Sequence, residues 1–173
     1  IFAGKPYNNQ AMNTNKTSPQ INIIKTENIK LSEIDFDNLV FGRKFSDHMF
    51  VMEYDNGEWS KPEIKPYGPL SISPALNTLH YGQAVFEGMK AFYADDNTIN
   101  IFRPKEHFER FNNSARRIGI PETEYDVFIS ALEELMKLDY EFVPKKDQTA
   151  LYLRPFIFAS DDLLAARTST KFS

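Results

Sequence analysis

Three side chains in this sequence pair a chemically capable group with an apolar setting: Tyr152, Arg154 and Arg110. Arg154 falls in Leu151-Tyr152-Leu153-Arg154-Pro155-Phe156, a β-prone run. A guanidinium buried inside such a strand requires a carboxylate, a phosphate or a cluster of carbonyls, because leaving it unpaired is expensive. Tyr152 precedes it by two residues, which puts both side chains on one sheet face. An Arg fork beside a Tyr hydroxyl can orient a carboxylate; an internal ion pair with an acidic core residue accounts for the pattern equally well. Arg110 lies two residues after Phe108 on an expected helix, off its apolar stripe. It reads either as part of a solvated face or as a phosphate ligand, a role its planar fork suits. Phe41, Tyr81 and Phe86 are single aromatics whose ordinary role is core packing. Glu87-Gly88 reads as a helix-to-strand turn in which Gly frees the backbone. Lys90 reads as a half-exposed, solvated strand residue rather than as a nucleophile.

Other chemistries find no support. His48, His80 and His107 stand far apart, without HExxH or metal-ligand spacing. There is no GxSxG elbow, P-loop or GxGxxG. The chain has no Cys, which excludes disulfides and thiolate metal sites and fits a cytoplasmic protein. The net charge of -4 comes without a basic stripe, so no nucleic-acid partner is expected. No apolar run approaches the ~20 residues that span a bilayer, and no signal peptide is visible, so no membrane partner is expected either.

The elements that must position these residues follow from the pattern. Residues 1–20 are polar and read as a flexible tail. One globular unit is expected over 21–173. His48 to Tyr54 reads as a strand running into an Asn56-Gly57 hairpin turn. Pro62, Pro66, Pro69 and Pro74 mark an extended, loop-rich crossing. Asn77 or Thr78 is placed to cap a short helix over Leu79 to Phe86. Met89 to Tyr93 and Ile99 to Phe102 read as a second hairpin. Pro104 opens a helix whose stripe is Phe108, Phe111, Ala115 and Ile118. A second helix follows from about Glu124 to Leu138. Thr149 to Phe158 is β-prone throughout, Asp161 to Arg167 is a loop, and Thr168 to Ser173 is β-prone. Hairpins, then two helices, then strands predict an α+β fold with a mainly antiparallel sheet flanked by helices.

Taken together, LHYGQAVFEGMKAF (79–92), IFRPKEHFERFNNSARR (101–117) and LYLRPFIFA (151–159) resemble the branched-chain amino-acid aminotransferases. Val40-Phe41-Gly42 and Phe45-Ser46-Asp47-His48-Met49 extend the match, which covers about residues 21 to 173. The resemblance implies the small N-terminal domain of a fold type IV enzyme that uses pyridoxal 5'-phosphate. It implies reversible amino transfer from leucine, isoleucine or valine to 2-oxoglutarate. By the same resemblance Arg110 matches the cofactor-phosphate ligand. Phe41, Phe86 and Tyr152 match walls of the side-chain pocket, and Tyr81 and Arg154 match residues near the substrate. Tyr81, Leu164 and Ala166 match residues that look toward a neighbouring subunit, which implies a homodimer with shared sites.

His107 departs from the Asn common at its position. No Lys here matches the Schiff-base lysine, which is expected beyond Ser173 along with the rest of a C-terminal cofactor domain. Two alternatives stand beside this reading. One is another fold type IV enzyme, a D-amino-acid aminotransferase or aminodeoxychorismate lyase. These share the His-x-x-Arg helix pattern but not Val85-Phe86-Glu87-Gly88-Met89-Lys90. The other is an inactive small domain serving as a binding module.

Overall fold

A computed structural model describes residues 19–173. Of the expected tail at 1–20, residues 1–18 lie outside the described residues. In chain order the strands begin with β1 (Asn22–Ile23), β2 (His48–Val51), β3 (Tyr54–Asp55), β4 (Glu58–Trp59) and β5 (Glu63–Pro66). Then come α1 (Asn77–Tyr81), β6 (Ala84–Phe86), β7 (Met89–Tyr93), β8 (Ile99–Ile101) and the helices α2 (Pro104–Arg117) and α3 (Tyr125–Leu138). The last strands are β9 (Leu151–Leu153) and β10 (Phe156–Phe158). They form small sheets ordered β1-β5-β2, β3-β4, β8-β7-β9 and β10-β6. Every pairing is antiparallel except β1 with β5. The expected α+β, mainly antiparallel architecture is the one found. Among the described residues no helix is long and apolar enough to cross a membrane.

Several boundaries differ from expectation, each for a local reason. The run from His48 to Tyr54 breaks after Val51. β2 pairs with β5, while Tyr54 opens a separate hairpin. Asn56 and Gly57 close that hairpin at φ of 53° and 91°, the left-handed pair that two-residue hairpin loops require. β5 occupies the start of the Pro-rich crossing and ends at Pro66, opposite His48. The helix expected over Leu79 to Phe86 covers only Asn77–Tyr81. Gly82 ends it at φ 68° with its N–H returning to the Thr78 carbonyl, and the next residues join β6. Asn77 is inside α1 rather than capping it. The β-prone run from Thr149 to Phe158 splits at Arg154-Pro155 into strands of two different sheets.

The two helices cover the sheets. α2 packs on β6 and α3 on β2. Phe111 and Ala115 of α2 and Phe128 and Leu132 of α3 meet Val85, Met89 and Ile157 in one core. Full burial of a side chain such as Phe111 or Leu132 stabilises by roughly 2 kcal/mol. Ile118 closes α2 in the open, and Ile120, just past the left-handed Gly119, takes the buried place instead.

Candidate active site

Alternation along β6 decides where the chemistry sits. Val85 is buried, Phe86 is exposed and Glu87, continuing the alternation, is buried again. Phe86 therefore faces outward while the Glu87 carboxylate is carried in toward α2. On α2, His107, Arg110 and Ser114 recur at helical spacing and so share a face. The two elements meet through an ion pair. Arg110 donates from Nε to Glu87 Oε1 and from Nη2 to Glu87 Oε2, both at 2.6 Å. The Gly88 N–H donates to the same Oε2 at 2.6 Å. His107 Nδ1 stands 3.3 Å from Glu87 Oε2 and 3.3 Å from Arg110 Nη2, so its tautomer decides which of the two it serves.

The pair is lopsided in solvent exposure. The Glu87 side chain is 4% exposed and that of Arg110 is 66% exposed. Burial by itself pushes the Glu87 carboxyl up. The Arg110 hydrogen bonds, the Gly88 N–H, the Arg110 charge and His107 outweigh it and hold the group below the usual carboxylate range. Arg110 moves the other way, its hold on its proton strengthened first by the Glu87 hydrogen bonds and then by the Glu87 charge.

The second half of the site comes from β9 and the loop after it. Arg154 donates from Nη2 to the Tyr152 hydroxyl at 3.0 Å. Its guanidinium lies 4.4 Å from the Phe86 ring centre and 5.2 Å from that of Tyr152, within cation–π range. Phe41 meets Tyr152 edge-on at 5.0 Å. Gly88 allows the closest approach. A Cβ there would lie 1.9 Å from the Tyr152 hydroxyl oxygen, so no larger residue leaves that hydroxyl where it is. Phe86, Glu87, Gly88, Arg110, Ser114 and Tyr152 line a cleft of about 310 Å³. One wall is aromatic and one rim is cationic, an arrangement able to hold an apolar group against an anion.

The structure thus gathers Phe41, Phe86, Arg110, Tyr152 and Arg154. Tyr81, Leu164 and Ala166 are exposed, at the end of α1 and in the loop after β10, and none of them lines the cleft. Two expectations about surroundings are corrected. Arg154 is not buried in a strand; Pro155 ends β9 and leaves the guanidinium exposed, where it needs no carboxylate. Arg110 is neither a lone solvated residue nor an unengaged anion ligand, since one edge of its fork is taken by Glu87. Glu87 does more than close a turn: it holds Arg110. Its signal was the phase of β6, in which Glu87 shares the inward parity of Val85. Lys90 is exposed, as its strand position predicted.

No protein-family model matches the chain. Branched-chain-amino-acid transaminase 1 of Bacillus subtilis is 41% identical over 140 residues, which are 80% of this chain and 39% of that protein. The probable branched-chain-amino-acid aminotransferase of Staphylococcus epidermidis is 39% identical over 156 residues, 90% of this chain and 43% of its own length. The crystal structure of a branched-chain aminotransferase from Thermoproteus uzoniensis with norvaline shares the fold. Its TM-score is 0.50 at 20% identity, over 72% of this chain and 40% of that one. The chain spans about two fifths of the length of the curated relatives it matches.

Proposed function

The chain belongs to the branched-chain amino-acid aminotransferase family, and from that premise we propose that it walls the active site of an enzyme exchanging an amino group between leucine, isoleucine or valine and 2-oxoglutarate. The observation that carries the reading is that Phe86, Arg110 and Tyr152 line one cleft while Phe41 packs on Tyr152 and Arg154 on both Phe86 and Tyr152 beside it. Residues 21–173 act as the small domain of a fold type IV enzyme in this reading.

The cofactor proposed is pyridoxal 5'-phosphate, which when bound draws electrons from the amino-acid α-carbon. The donor set fits its phosphate end. Glu87 occupies Nε and Nη2 of Arg110, and among the described residues Nη1 carries no hydrogen bond. That amine would hold the phosphate. Arg154 and the Tyr152 hydroxyl would orient the substrate carboxylate through charge-assisted hydrogen bonds. Phe41 and Phe86 would accept the branched alkyl group and shed its water. Among the described residues no Lys lines the cleft. The amine that would hold the cofactor is proposed to come from outside the described residues. Tyr81, Leu164 and Ala166, all exposed, are proposed to face the site of a second subunit in a homodimer. Free amino acids and 2-oxo acids are metabolites of the cytoplasm, where we place the protein.

The test is glutamate formation from leucine and 2-oxoglutarate by a chain of the relatives' full length carrying these residues. Turnover is expected, and Arg154→Gln should raise the KM for leucine by roughly tenfold or more, the worth of one charged hydrogen bond. Turnover of D-alanine without leucine would replace this reading with a D-amino-acid aminotransferase.

A further inference from the structure

An anion-gripping Arg on an exposed helix face is a poor tool when unsupported, because its long stem samples many rotamers. Arg110 is 66% exposed, yet its fork is held side-on at Nε and Nη2 by one carboxylate. That carboxylate is itself fixed. The Glu87 side chain is buried, its oxygen Oε2 accepts the Gly88 N–H at 2.6 Å, and its own backbone N–H donates to the Pro155 carbonyl at 2.8 Å. A purely superficial ion pair would need none of this burial, which costs free energy for any carboxylate. Side-on engagement also has a directional consequence. It occupies Nε and Nη2 and leaves Nη1, the tip of the fork, pointing away from Glu87.

We propose that Glu87 is the positioning residue of the anion site: it sets the direction of Arg110 so that a single amine, Nη1, is presented to a phosphate. The inference rests on the reading of Arg110 as phosphate ligand and adds to it a dedicated support inside the protein. Glu87 touches neither phosphate nor substrate. It acts through Arg110, and its place between Phe86 and Gly88 ties the phosphate end of the cleft to the wall formed with Tyr152.

The test uses the holoenzyme, a chain of the relatives' full length carrying this stretch, with pyridoxal 5'-phosphate as the probe. Dissociation constants from equilibrium dialysis are compared for the wild type, Glu87→Gln, Arg110→Lys and the double variant, with the phosphorus NMR shift of the bound phosphate as a second readout. Glu87→Gln should weaken cofactor binding roughly tenfold, the worth of a charge-assisted Arg110 contact no longer held in place, and move the phosphorus resonance. In the Arg110→Lys background the same substitution should change little, because the group it orients is gone. Glu87→Asp retains the charge but shortens the reach, should lose less affinity than Glu87→Gln, and serves if that variant does not fold. The proposal is overturned if Glu87 substitutions lower the melting temperature while affinity and resonance stay put, or if the two effects simply add. If Arg110→Lys alone leaves affinity unchanged, the phosphate assignment of Arg110 fails first and takes this inference with it.

Discussion

At the residue scale the two arginines of the cleft show how setting, not type, assigns chemistry. Arg154 is held by a phenol and two rings, so its charge remains available to an incoming carboxylate. Arg110 has spent half its fork on Glu87 and offers only what remains. The acidic partner is the buried member of that pair, which ties the site to pH. The carboxyl of Glu87 titrates in the folded chain below its ordinary value of 4.5. Its pairing therefore contributes stability that is present above pH 4.5 and is lost as pH falls through the depressed folded value. Urea midpoints followed against pH should show the wild type above Glu87→Gln at neutral pH, with the gap closing on acidification below 4.5. Curves that run parallel through the acid range would mean the ion pair adds no net stability.

At the scale of elements, the site depends on one close crossing, between the β6–β7 joint and β9. Gly88 is the joint, and Tyr152 lies over it with its hydroxyl where a Cβ would go. Backbone strain is not at issue there; the rigid Tyr152 ring must swing aside, since its Cζ would also lie 2.8 Å from the added Cβ. Gly88→Ala should thus cost under about 1 kcal/mol of stability, as for a mild local rearrangement, yet push the Tyr152 hydroxyl off Arg154. In a chain of the relatives' full length with the proposed activity, the KM for leucine should rise while the melting temperature barely shifts. A large fall in melting temperature with unchanged KM would show the crossing to be structural only. How legible these elements were in the sequence follows from the range of the forces involved. The β7–β8 hairpin, α2 and α3 were readable because their periodicities are local and long. Asn56-Gly57 was readable because its backbone demand is local too. The split of β9 from β10 and the shortness of α1 were not, because Pro155 acts as a break when the runs beside it find partners in different sheets, and Gly82 does so when the residues after it are drawn into β6. Glu87 was missed for a related reason: its partner lies 23 residues away on a helix. Spacing within one element cannot show such a pairing.

At the scale of the whole molecule, the aromatics divide between two duties. Phe111, Phe128 and Phe172 fill the core. Phe41, Phe86, Phe102 and Phe156 do not; all are exposed, Phe41 at 75% and Phe86 at 65%. Phe86 and Phe156 are directly paired across β6 and β10, so they present a shared apolar face rather than scattered side chains. Leu79, Tyr81, Leu163 and Leu164 are exposed as well. Such exposure favours association, since apolar area removed from water contributes about 25 cal/mol per Å². These 173 residues alone are therefore expected to self-associate with rising concentration, while giving no glutamate from leucine, because among the described residues no Lys lines the cleft. Sedimentation velocity across a concentration series, alongside the coupled glutamate assay, checks both halves. A concentration-independent monomer would show the exposed aromatic faces to be tolerated by water. Leucine turnover by this chain alone would require an amine inside the cleft that the described residues do not place there, and would remove the division of labour proposed between its cationic rim and a lysine supplied from outside.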